Sequence, residues 1–199
     1  MIKFLGLLSK KKKVKPATAA SIYVALLQNV ISEGFIEIKD FINNNNNLES
    51  NPNLNDNDID WFSNVVFLGN LKNLDVYFEE DEASTLRALI LDEIHKDVKD
   101  NDQHLAIERF LDYENYFKEL LIKHESPINA MAHAIFEKYN INDFQGDLFK
   151  KKNKPNPVFL NELKNLLNHF IWNWEEYLAK NKLNFSFNSR VICQYNYLE

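Results

Sequence analysis

Residues 157–178 read PVFLNELKNLLNHFIWNWEEYL. Asn156 before Pro157 is a helix-start signal, because Asn caps well and proline fits the first helical turn, where the N–H it lacks would have no intrahelical partner. Phe159, Leu163, Leu166, Leu167, Phe170, Trp174, Tyr177 and Leu178 follow at helical spacing, about five turns of one unbroken apolar face. A half-buried strand would alternate with period two. This stretch does not, and it sets the expectation of a mainly α chain.

The same period recurs upstream. Ala19, Ile22, Tyr23, Leu26, Leu27 and Val30 predict a helix opened by Thr18 and closed at Gly34 as its C-cap. Phe35, Ile38, Phe41 and Ile42 predict a shorter second helix. Asp58 or Asp60 can cap a helix carrying Trp61, Phe62, Val65, Val66 and Leu68, which Gly69-Asn70 then interrupts. Leu74, Val76 and Phe78 fit either period. Further stripes run through Leu86, Leu89, Ile90 and Ile94, and through Phe110, Tyr113, Phe117, Leu120, Leu121 and His124. Ser126-Pro127 repeats the start signal ahead of Ile128, Met131, Ala132 and Ile135. After Lys182 the period becomes two: Leu183, Phe185 and Phe187, then Val191, Cys193 and Tyr195 across a loop at 188–190.

The fold expected is therefore a mainly α, single-domain bundle or array of about six or seven helices, with a small C-terminal β-hairpin or extended tail over 183–199. Residues 1–15 read as a flexible basic leader and 16–182 as the helical domain. Within it, the Asn/Asp-rich segment 43–58 reads as a disordered loop, since it has too little apolar surface to repay the entropy of ordering.

Composition narrows the function classes. The chain has 199 residues, 45% of them hydrophobic, and a net charge of −6. That supports one ordinary domain with a real core. Mild acidity with only three arginines argues against nucleic acid as a partner, which needs a concentrated basic face. A single cysteine excludes a disulfide framework and a thiolate zinc site. No membrane-spanning segment is expected, and the cytoplasm is the default address. Four scattered glycines form neither common phosphate cradle, and no nucleophile elbow occurs. No cofactor is expected.

Three groups of residues can carry function. The acidic run Glu79, Glu80, Asp81 and Glu82 would steer basic partners, and Trp172, opposite the apolar stripe among asparagines, is either covered by the terminal hairpin or presented to a partner as an interface anchor. These favour a non-enzymatic domain that binds a protein partner, or self-associates, as an adaptor, chaperone or inhibitor does. The first alternative is a metal-dependent enzyme using Asp92, His95, His133 and Glu137, two acid–imidazole pairs at spacings of three and four. The second is a peripheral membrane protein, with Phe4 and Leu5 as an apolar plug and Lys10, Lys11, Lys12 and Lys13 as the lipid-facing charge. Asp56, Asp58 and Asp60 alternate like calcium-loop ligands, but Trp61 stands where that loop needs glycine; helix capping is the expected use.

Overall fold

The computed structural model describes residues 11–96, 98 and 100–185. In it the chain is mainly helical with one small sheet. Strand β1 (Lys12–Val14) leads into α1 (Pro16–Asn43), followed by α2 (Ile59–Lys72), the single-turn α3 (Leu74–Tyr77), α4 (Glu80–His95), α5 (Asp100–His124), α6 (Pro127–Lys138), the single-turn α7 (Asp147–Lys150), α8 (Pro157–Leu167), α9 (Trp174–Lys180) and strand β2 (Asn181–Leu183). The core is one contiguous cluster. Its centre is α6, whose Ala130, Met131, Ala132, Ala134 and Ile135 are fully buried and which packs on α2, α5 and α8. The small residues let those helices approach closely; α1 lies across α2 and α4.

Helix α1 opens with Pro16 after an extended Lys15, not at Thr18, and it does not stop at Gly34. It runs 28 residues and absorbs the expected second helix. The glycine serves a close approach instead: a Cβ there would lie 2.6 Å from Phe170 Cζ. Gly69 likewise does not interrupt α2; a side chain there would overlap the Met131 sulfur of α6. An interior glycine costs a helix about 1 kcal/mol against alanine, and here the contact it permits offsets that cost. By length and composition α1 is also long and apolar enough to cross a membrane, with a window of mean hydropathy 1.3, contrary to the expectation from sequence. Nine of its residues are buried, from Ala19 to Ile42, so in this fold one face of α1 belongs to the core.

The stretch 157–178 is not one helix. It breaks into α8, a 3₁₀ turn over Asn168–Phe170 and α9. Buried Asn70 forces the break from across the core: its Nδ2 donates to the Val66 and Phe170 carbonyls, each at 2.9 Å, and its Oδ1 accepts from the Trp172 N–H at 2.7 Å. Two backbone groups that a continuous helix would pair internally are thereby paired with α2. Asn173 then restarts the helix, its side chain accepting from the Glu176 N–H at 2.9 Å.

The Asn/Asp-rich segment is tied to the body, where disorder is expected. Asn43 clamps Leu54 from both sides, accepting its N–H at 2.8 Å and donating to its carbonyl at 2.9 Å, and Leu54 is buried. The Glu49 N–H donates to the Phe144 carbonyl, and Leu48 bridges Gln145. Asn55 and Asp58 form a reciprocal capping box ahead of α2, and Asp56 pairs with Lys39 at 2.6 Å, so Asp58 serves in capping and Asp56 in pairing.

Residues 11–15 of the basic leader are likewise placed. Strand β1 runs parallel to β2 in the register Lys12–Asn181, Lys13–Lys182 and Val14–Leu183, with Val14 and Leu183 turned into the core. The expected C-terminal hairpin depends on residues 186–199, which lie outside the described residues.

Candidate functional site

The acidic run sits where the chain turns from α2 into α4. Leu74 is buried and anchors the α3 turn. Phe78 leaves that turn in an extended conformation and drives its ring inward, 5.1 Å from Trp174 and 6.2 Å from Phe185. With Leu74 and Phe78 pointing in, Val76 and Tyr77 face outward and are 75% and 41% exposed. Sequence reasoning left this piece ambiguous; the exposed pair follows from the turn, which neither simple period describes.

Glu79 precedes α4 in an extended conformation, and Glu80, Asp81 and Glu82 form the first turn. Each carboxylate near a helix N-terminus gains about 0.3–1 kcal/mol from the macrodipole, so this much negative charge can be concentrated without unfolding the helix. The four residues line an open depression of about 330 Å³. Among the described residues none of the four joins an ion pair. The result is an acidic rim beside two exposed apolar side chains. A larger depression, about 440 Å³, is lined by Asp40, Phe41, Glu162 and Asn44 to Asn47; there Asn45 already donates to Glu162.

Among the described residues Trp172 is covered from within the chain, by α1 and α9. With the helix broken at Ile171, its ring packs on Tyr23 of α1 at 5.4 Å, on Trp174 at 6.0 Å and on Tyr177 at 5.9 Å. It is half-buried and its Nε1 is fully covered. The indole is an internal element of an aromatic cluster shared between α1 and α9. The same cluster holds Tyr23 OH, Trp174 Nε1 and Tyr177 OH buried without a hydrogen-bond partner among the described residues. Burial alone pushes the Tyr23 phenol far above its ordinary range.

The four residues of the metal alternative are not gathered. On α4, Asp92 is exposed while His95 is buried, its Nδ1 donating to the Leu91 carbonyl at 2.8 Å and its ring edge-on to Phe110. On α6, His133 lies face to face with His124 of α5, with ring centroids 3.5 Å apart and planes 10° from parallel. Nitrogen lone pairs lie in the ring plane, so two stacked imidazoles cannot converge on one ion at the required ~2.0–2.1 Å. Glu137 accepts from the Tyr116 hydroxyl at 2.7 Å. Among the described residues no group of three or more His, Cys, Asp or Glu side chains is placed to hold a metal ion.

The His124–His133 stack is the feature that sequence reasoning missed, although both residues were individually visible. Both rings are harder to protonate than a free imidazole. Burial, the neighbouring imidazole, Lys123 and Lys164 together outweigh Glu137 and push His133 down to about 4; burial and Lys123 also lower His124. The helix C-terminus at His124 would favour a cation, and burial overrides it. Of the membrane-docking set, Lys11, Lys12 and Lys13 are exposed at and beside β1, whereas Phe4, Leu5 and Lys10 lie outside the described residues.

Comparison with known protein families, with curated proteins and with solved structures finds no match to this chain.

Proposed function

We propose that this chain is a non-enzymatic helical domain that binds another protein, in the manner of an adaptor, chaperone or inhibitor, through the edge from Val76 to Glu82. The cytoplasmic address expected from the sequence belongs to the same proposal. One observation carries the reading. Val76 and Tyr77 are exposed beside the four carboxylates of Glu79 to Glu82, none of which is ion-paired among the described residues. A tyrosine supplies the anchoring contact that dominates interface energetics, and a charged rim sets encounter rate and orientation. The partner that complements this edge is a basic segment with an apolar residue, such as a Lys/Arg-rich amphipathic helix.

The test compares full-length wild type with Tyr77→Ala and with Glu80→Lys/Asp81→Lys in quantitative affinity capture from cells that make the protein, followed by titration of the captured partner. Both variants should bind at least ~10-fold more weakly, as expected for loss of an anchor or reversal of steering charge. The charge-reversal effect should shrink as salt rises. Equal capture by all three forms would end the reading.

A further inference from the structure

The outer face of α1 carries an apolar ridge that the described residues leave exposed. Ile22, Leu26 and Val30, each four residues from the next, are 38%, 47% and 41% exposed. Rows of this spacing are the ridges that interlock when two helices pack face to face. Charge is distributed unevenly about the ridge. At its N-terminal end stand exposed Lys11, Lys12, Lys13 and Lys15; at its C-terminal end, on the same outer face, stand exposed Glu33, Glu37 and Asp40.

We propose that this face is the interface of a symmetric homodimer in which α1 packs antiparallel against α1 of a second copy, with the two-fold axis at Leu26. Leu26 then meets its own counterpart and Ile22 meets Val30 of the other copy. In the same register Lys15, the residue just before α1, faces Glu37, in both directions at once. A two-fold interface must be self-complementary in this way. A parallel pairing would place lysines on lysines and carboxylates on carboxylates, so the charge pattern selects the antiparallel one. From Lys15 to Glu37 the seam is about 33 Å long at the helical rise. One helix pair buries less than the roughly 800 Å² per partner of a standard stable interface, so the dimer is concentration-dependent. The proposal shares no residue with the Val76–Glu82 edge and stands or falls separately.

Sedimentation velocity on the full chain over a wide concentration range tests it. The wild type should move from monomer to dimer. Leu26→Glu, which sets two carboxylates against each other at the axis, should weaken association at least ~10-fold, equivalent to about 1.4 kcal/mol; because Leu26 is exposed, its melting temperature should stay near that of the wild type. Lys15→Glu should also weaken the dimer, and adding Glu37→Lys to it should restore association, a compensation that general stickiness does not produce. A wild type that stays monomeric, a dimer indifferent to Leu26→Glu, or a double exchange that fails to restore association would each overturn the proposal. So would a monomer whose α1 face binds phosphatidylserine vesicles and loses them on Leu26→Glu.

Discussion

Asn70 uses every hydrogen-bonding capacity that matters at its position. It is 1% exposed, so an unpaired amide there would be costly, yet both amide hydrogens and the oxygen are engaged. Replacing it with alanine leaves the Trp172 N–H and the Phe170 carbonyl buried without partners. At about 1–3 kcal/mol for each unsatisfied group, Asn70→Ala should lose roughly 2–4 kcal/mol in urea or thermal unfolding. Asn165→Ala, on the exposed side of α8, should stay within about 0.5 kcal/mol. An Asn70→Ala protein as stable as Asn165→Ala would mean the clamp does not hold the α8–α9 break. Nothing in the sequence marks Asn70, since an interior asparagine next to a glycine reads as a helix interruption. The break itself was half legible: Asn173 followed by Glu176 is a cap with its acid three residues on, but the apolar period runs straight through it. The same oversight misplaced Trp172, whose direction was inferred from a helix that does not continue to it.

At the scale of elements, local start signals were the most reliable guide. Ser126 and Asn156 both cap helices through their side chains, accepting the N–H of Asn129 and of Val158. Interior glycines misled, because at Gly34 and Gly69 the reason for glycine is a side chain on another helix. The α5–α6 corner shows how much two correct helices leave undetermined. The stripe ending in His124 was visible; the ring stacked on it comes from the next helix. This corner makes stability depend on pH in a definite direction. Both imidazoles are harder to protonate folded than unfolded, His133 to about 4 against an ordinary 6.5. Between those values the unfolded chain binds more protons, so stability is full above pH 6.5 and falls as the pH drops toward 4. Of the groups facing the stack, Lys123 and Lys164 oppose a charge and Glu137 favours it, and burial, the largest influence, decides the direction. Urea midpoints measured from pH 7 to pH 4 should therefore decline, and His133→Phe, which keeps a flat ring over His124, should make the decline shallower. Parallel curves for the two proteins would place the acid sensitivity elsewhere.

Across the whole molecule, the helical class and the single core were legible because they are sums over many residues, so a misjudged cap does not alter them. Long-range pairing was not. Nothing local in Lys-Lys-Val at 12–14 announces a strand, because three residues become one only when Asn181–Leu183 arrives beside them. That pairing joins the lead-in of α1 to the exit of α9, and the two buried side chains it contributes, Val14 and Leu183, extend the core at its margin. The Asn184 N–H donates to the Val14 carbonyl at 3.0 Å just past the strand. Burial of one valine is worth about 1.5–3 kcal/mol before the entropy of ordering the segment is subtracted. Deleting residues 1–14 should therefore cost a modest 1–2 kcal/mol or so of global stability, and the larger effect should be local. Amide exchange in α9 and β2 should accelerate, since their covering strand is gone. The central helices α2 and α6, whose partners are untouched, should keep their protection relative to the global unfolding limit. Unchanged exchange across 174–183 in the truncated protein would show that α9 is held by its aromatic contacts with Tyr23 and Phe78 alone, and that the small sheet follows the helical packing without contributing to it.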